Sequence, residues 1–366
     1  MITTSNRQFV FILIIFITST ADILLPSITT RLAGRDAWLS ILGAALLGSV
    51  IVYLQGKLAA HFPGKSLPDY AGTLLGPYLG TLLILLYLFF LLIITLAVIG
   101  ELIQITGTAF LRETPEIIFS FLIVLTAGYA IVQGIEVIAR VVEFAFPLGM
   151  LVRIGLVFLV LTDLQVDRFL PILEQGTVPV LQGSLRVVSW LGEGIIVLFV
   201  SHHIKEIGKI SFQLVMAIWF VTFLLLISSL YIGTFGHIQA ANITFPLFEM
   251  IRFLEFGDFR GLDILIMTFW YSATLFKVVV LLYILTITVQ NLTKHEYKLT
   301  ITIPLMLVLT VLPVSLFTEM SSTIDFLKNI WPGFALTFEL IIPAILLLLT
   351  MKNKSSRGEI QDESRS

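Results

Sequence analysis

Apolar residues run along this chain in long blocks, separated by short polar clusters rich in Gly, Pro and charge. Blocks of roughly 18–25 residues match the length an α-helix needs to cross a bilayer. Ten such spans can be counted, near 9–28, 37–55, 78–105, 116–133, 144–162, 183–203, 212–235, 262–290, 300–317 and 332–351. The pattern predicts an all-α polytopic membrane protein. Two blocks are interrupted. Span 1 carries Thr18-Ser19-Thr20-Ala21-Asp22 and then Pro26; span 6 carries Ser189-Trp190-Leu191-Gly192-Glu193-Gly194. Interruptions at matching positions of two halves mark the ligand region of inverted-repeat transporter folds. Broken helices leave backbone groups that a cavity, ligand or ion must satisfy inside a bilayer. The expected architecture is therefore ten transmembrane helices as a 5+5 inverted repeat with broken helices 1 and 6. It forms one transporter-like domain over 1–351, with repeat halves about 9–162 and 183–351. The halves share no convincing residue-level identity, so the repeat rests on span number and break position. A polar tail, 352–366, is expected to be disordered.

The connections carry the orientation signal. With the N-terminus inside, 12 basic residues fall on the cytoplasmic side: Arg7, Lys57, Lys65, Arg140, Lys205, Lys209, Lys294, Lys298, Lys352, Lys354, Arg357 and Arg365. Eight fall on the other: Arg31, Arg35, Arg112, Arg168, Arg186, Arg252, Arg260 and Lys328. The bias, concentrated in lysine, places both termini in the cytoplasm. The longest connection, 237–261, interleaves aromatic and charged residues, which suggests short interfacial helices. The first apolar run is too long for a cleavable signal, and no small-residue cleavage site follows it.

Composition narrows the classes further. The chain is 57% hydrophobic and only 13% charged, with mean hydropathy +1.01, which no soluble domain of this size matches. A formal charge of −2 gives no nucleic-acid signal. There is no cysteine, hence no disulfide or thiol chemistry. His202 and His203 are adjacent and point about 100° apart on a helix, so they read as a polar helix end rather than a metal pair. No metal-ligand spacing, Ser/His/Asp arrangement or other catalytic motif appears, so neither an enzyme nor a cofactor is expected.

Six ionisable residues fall well inside the spans: Asp22, Glu101, Arg153, Glu193, Lys277 and Glu339. Each costs roughly 2.5–3.5 kcal/mol to insert at a span centre, so each is a candidate for function or pairing. Asp22 and Glu193 sit in the two interruptions. Facing each other, they would hold an ammonium or a cation, or share a proton. The plainer alternative is that each caps a half-helix N-terminus. Arg153 in span 5 supplies a fixed charge beside span 1, where it would replace a bound cation; a structural pair with Glu143 or another acid is the alternative. Lys277 shares a helical face with Trp270 and Thr274, and Glu101 with Gln104 and Thr108, so both stripes should face inward. A Glu101–Lys277 pair is open, and Glu339 has no evident partner. Ser19, Thr20, Trp190, Gly192 and Gly194 complete the candidate ligand set.

Several segments then resemble one family. They are Asp36-Ala37-Trp38-Leu39-Ser40, Phe62-Pro63-Gly64-Lys65-Ser66-Leu67 with Tyr70, Glu113-Thr114-Pro115, Gly134-Ile135-Glu136-Val137-Ile138-Ala139-Arg140, and Leu170-Pro171-Ile172-Leu173. In this order they resemble the spore germination permeases, the B subunits of nutrient germinant receptors. That family belongs to the amino acid–polyamine–organocation transporter superfamily. The resemblance implies a ten-helix transporter-like core in the spore inner membrane, or a bacterial plasma membrane. It would bind a small nutrient between spans 1, 3, 6 and 8, and act with an A subunit and a lipoprotein C subunit. A proton-coupled amino-acid or amine transporter is the alternative reading. One departure stands out. Many superfamily members carry a Gly-x-Gly break in span 1, whereas here the stretch lacks glycine and holds Asp22. Glycine permits such a break more readily than alanine or aspartate. The acid favours an amine, a sugar, a zwitterion in another pose or a cation-dependent ligand.

Overall fold

The computed structural model describes residues 4–161, 164–253, 262–295 and 297–363. Among these the backbone is helical almost throughout, with one isolated bridge between Thr4 and Ile204. Among the described residues, eight stretches are long and apolar enough to cross a membrane. The first, Asn6–His61, contains two helices, and Ile135–Val160 adds another, so all ten spans are present. Spans 1 to 5 are Asn6–Ala33, Ala37–His61, Pro77–Ala109, Glu116–Gln133 and Ile135–Val160. Span 6 is composite: helix Val178–Leu191, a 3-10 segment Gly192–Ile196 and a short helix Val197–Val200. Spans 7, 8 and 9 are Ile210–Ser228, Leu262–Thr293 and Lys298–Leu316. Span 10 runs from Met320 to Glu363 through two π-helical turns, Phe326–Ile330 and Thr337–Ile341.

The break expected in span 6 is there; the one expected in span 1 is not. Span 1 starts on a capping box, with Ser5 accepting from the Gln8 amide and Gln8 Oε1 accepting from the Ser5 amide. It then continues as one helix past Asp22 and Pro26. Its small polar residues do not unwind it, because their hydroxyls turn back onto the helix. Thr18 donates to the Ile14 carbonyl (2.7 Å) and Ser19 to that of Phe16 (2.8 Å). Without glycine, the run from Thr18 to Asp22 keeps the helical backbone, and Pro26, which removes one intrahelical hydrogen bond, does not interrupt it. Span 10 shows the converse, since its two π-turns had no sequence signal. The last helix continues to Glu363, and 364–366 lie outside the described residues.

Span 1 sits at the centre, buried on nearly every side. Span 9 lies outside, with Leu299, Ile303, Leu307 and Val311 exposed at four-residue intervals as a lipid-facing stripe. Spans 2 and 6 approach through small residues. A methyl group on Gly43 would collide with Ser184, and one on Gly183 with Ser40. Such reciprocal small contacts replace the hydrophobic effect, which gives little drive for association between helices in lipid. Below them, Gly56 of span 2 lies against the Ser211 backbone of span 7.

Contacts at the helix ends sort the connections into two groups. At one end the Thr4 amide donates to His203 O (2.7 Å), Ser201 Oγ to Lys65 O (2.6 Å) and Asn291 Nδ2 to Asp69 Oδ1 (2.6 Å). At the other, Asp36 accepts from the Leu173 amide (3.1 Å) and Arg31 Nε donates to Ala241 O (2.8 Å). The long connection forms helices His237–Ala240 and Pro246–Phe253, and its remainder, 254–261, lies outside the described residues.

The span 2–span 7 approach makes a checkable case. A Cβ at position 56 would lie 2.6 Å from Ser211 Cα, so Gly56→Ala should destabilise by about 1–3 kcal/mol through overpacking. Gly107→Ala, with open space around its Cβ, should be neutral or slightly stabilising. Unfolding in mixed detergent micelles compares the two; equal stabilities would refute the close approach.

Candidate ligand cavity and the buried charge clusters

Asp22 projects from the middle of span 1 and is 5% exposed. Arg153 reaches it from span 5. Nη1 donates to Oδ2, and Nη2 to Oδ1 at 3.0 Å, giving a two-pronged pair. The same guanidinium donates to the Leu224 carbonyl and to Ser228 Oγ, each at 2.8 Å. One arginine thus ties spans 1, 5 and 7 together.

Beside this pair lies a cavity of about 150 Å³. Span 1 lines it with Ile15, Thr18, Ser19 and Asp22, span 5 with Phe146, Gly149, Met150 and Arg153, and span 8 with Phe269, Trp270 and Phe276. Ser228 and Phe248 close it. Trp270 Nε1 donates to the Ser19 carbonyl (2.7 Å), holding span 8 against span 1. The walls are mainly apolar and aromatic, with polarity concentrated at Asp22, Arg153 and the hydroxyls. Binding sites for small organic ligands have this make-up: an apolar enclosure with few placed polar groups.

A second cluster lies apart from the cavity. Lys277 of span 8 has a fully buried side chain. Its ammonium donates to both oxygens of Glu193, at 2.8 and 2.7 Å, and to Thr20 Oγ1 at 2.8 Å. The Phe16 ring lies 4.7 Å below it. Spans 1, 6 and 8 meet at this one charge. Gln55 of span 2 bridges the neighbouring irregularities, its amide nitrogen donating to Gly192 O (2.9 Å) and Glu339 O (2.8 Å). Glu101 and Glu339 complete the cluster, 4% and 0% exposed.

The candidate residues therefore divide. Ser19, Asp22 and Arg153 line the cavity. Thr20, Glu193 and Lys277 form the second cluster with Glu101 nearby, and Gly192 and Gly194 shape the span 6 segment. Trp190 is buried in span 6 and does not line the cavity. Asp22 and Glu193 do not share a site, because each has its own cation. The Glu101–Lys277 pair does not form, since Glu193 takes both the position and the charge. Arg153 pairs with Asp22 rather than Glu143, which Arg7 and Gln8 engage instead. The inward stripe Trp270, Thr274, Lys277 is as expected, all three being buried. In the other stripe Glu101 and Gln104 are buried, while Thr108 is exposed. Gln55 was missed, though a lone amide within an apolar helix could have marked it. Ser228 carried no such mark.

The model for the spore germination protein family matches residues 3–322, so the chain belongs to the spore germination permease family. It is 27% identical over 98% of its length to spore germination protein KB of Bacillus subtilis (strain 168), covering 97% of that protein. It is 26% identical to spore germination protein XB of Bacillus anthracis, over 77% of this chain and 80% of that one. Among solved structures it resembles Mhp1, a nucleobase-cation-symport-1 family transporter solved closed with bromovinylhydantoin bound. The TM-score is 0.69 at 15% identity, over 94% of this chain and 77% of that one. The chain is an integral membrane protein with a transporter-like fold of the LeuT type.

Removing one partner of a buried pair strands the other. Lys277→Met should therefore destabilise by about 3–5 kcal/mol. Lys277→Met with Glu193→Leu should recover most of that loss, because no charge is left behind. Thermal unfolding of the purified proteins measures both. A double variant as unstable as the single one would remove the ion pair as the cause.

Proposed function

We propose that this protein is the membrane subunit of a nutrient germinant receptor, binding a small nutrient in the Asp22–Arg153 cavity and triggering germination. The observation that carries the reading is an apolar cavity closed against a buried, two-pronged ion pair. An ammonium on the ligand competes with Arg153 for Asp22, while the aromatic walls take its apolar part. Breaking the pair frees a guanidinium that also holds spans 5 and 7, so occupancy changes how three spans are tied. Amines, amino acids in a suitable pose and sugars are the ligand classes considered. Arg153 stands where a bound cation would otherwise balance span 1. The A subunit and the lipoprotein C subunit are the proposed partners, and the spore inner membrane the site of action. Both termini face the cytoplasm in this reading. The two groups of connections coincide with the two lists of basic residues, which supports the relative sidedness.

A second reading, a proton-coupled transporter using the same cavity, draws support from the resemblance to Mhp1. Uptake of labelled ligand into proteoliposomes separates transport from sensing.

Thermal stabilisation across a panel of amines, amino acids and sugars identifies the ligand. Asp22→Asn should then weaken it by about 1.5–3 kcal/mol, roughly tenfold to a hundredfold. Unchanged affinity in a normally folded variant would leave Asp22 a structural residue. Stabilisation of the wild type should also be flat against Na⁺ at constant ionic strength, and a steep Na⁺ dependence would exclude the role given to Arg153.

The chain lacks cysteine, so single cysteines report topology without background. An impermeant maleimide outside intact cells should label Gln175→Cys and spare Lys65→Cys. The reverse pattern would invert the protein in the membrane.

A further inference from the structure

The cluster around Lys277 has an imbalance of donors and acceptors. The ammonium is engaged by Glu193 and Thr20. Left over are mainly acceptors: Glu101 Oε1, both carboxyl oxygens of Glu339 and Gln55 Oε1 are buried without a hydrogen-bond partner, against one unpartnered hydroxyl on the same face of span 8, Thr274 Oγ1. Gln55 cannot supply them, since its amide nitrogen serves two carbonyls. The charge count is equally one-sided. Glu101 and Glu339 lie close enough to Lys277 and Glu193 to interact electrostatically, yet one ammonium is already matched by one carboxylate. Two more carboxylates would stand uncompensated in a low-dielectric interior, which is far costlier than burying the neutral acids. Among the described residues, no three acidic or histidine side chains converge as a metal ion requires. A proton supplies a donor and removes a negative charge in one step.

We propose that Glu339 and Glu101 are proton-binding sites, each holding its proton as a neutral carboxylic acid, and that Glu339 is the one coupled to the irregular segment of span 6. Glu339 sits within the π-turn Thr337–Ile341, a geometry uncommon in helices and frequent at functional positions. Its carboxyl rests against Gly192, the first residue of the 3-10 segment, so closely that a methyl group at 192 would collide with it. Gln55 joins the same two backbones. The titratable groups around Glu339 are Glu193 on span 6, Lys277 on span 8 and Tyr87 on span 3. The Tyr87 hydroxyl donates to the Phe338 carbonyl (2.9 Å). None of them offers Glu339 an uncommitted cation. A neutral acid packs at this contact, whereas a carboxylate there lacks donors and is held against a glycine. Loss of the proton therefore acts where spans 6 and 10 meet. Neither acid lines the cavity, so this inference stands whether or not the cavity binds a nutrient.

Infrared spectroscopy of the purified protein in lipid nanodiscs tests the proposal with the proton itself as ligand. Wild type at neutral pH should show the C=O stretch of buried protonated carboxyls, moving down in D₂O. Glu339→Gln and Glu101→Gln should each remove one component. Wild type without such a band at neutral pH would overturn the proposal, whatever the variants do. A band unchanged in both Gln variants, with helicity intact, would overturn it equally. Should Glu339→Gln fail to fold, the wild-type spectrum and Glu101→Gln still decide. Disappearance of the band on adding K⁺ or Na⁺ at fixed pH would reassign the site to a metal cation and also refute it.

Discussion

An ammonium with no access to water must be matched where it stands, and Lys277 is such a group. Its carboxylate comes from span 6, its hydroxyl from span 1 and its aromatic face from Phe16. Each contact fixes the rotation of a helix as well as its distance, since a one-residue turn of span 8 would carry the charge off the inward stripe. A buried pair adds little net stability compared with apolar packing, and its best-attested use is to select one arrangement over others. That use matters in this bundle. Apolar helices slide past one another in lipid with little energetic preference, and a misplaced charge is what makes the alternatives costly.

The Asp22–Arg153 pair follows the same rule with a different consequence. It is a second registration point, one step along span 1, and its arginine stays partly exposed at 20% of its side chain. In the proposed reading, the pair beside open volume is the one a ligand exchanges with, and the pair with none is not. The distinction lies in the surroundings of the charges rather than in the charges themselves, since both are lysine or arginine facing one carboxylate.

Much of the architecture was legible because lipid imposes a long, uniform period: ten apolar blocks gave ten spans, and glycines on either side of Glu193 marked a real irregularity. Pairing was not legible. Asp22 and Glu193 occupy similar positions in the pattern, but which cation meets which acid depends on helix rotations that spacing alone leaves free. The polar run in span 1 misled because Thr and Ser can bond within a helix as well as disrupt one. Glu339 was noticed as a buried charge, yet the π-turn that presents it has no compositional trace, for one extra residue in a turn changes no apolar period.

The reciprocal glycine–serine contacts between spans 2 and 6 have a mechanical meaning. Ser40 against Gly183 and Gly43 against Ser184 interlock two helices over one turn, leaving no room to slip. The upper half of span 6 is therefore pinned to span 2 as a single lever arm. Its lower half begins at Gly192, less than three turns further along, where the backbone leaves the regular helix. Any swing of span 6 must pivot below the interlock, which places the fulcrum at the residue that Glu339 touches.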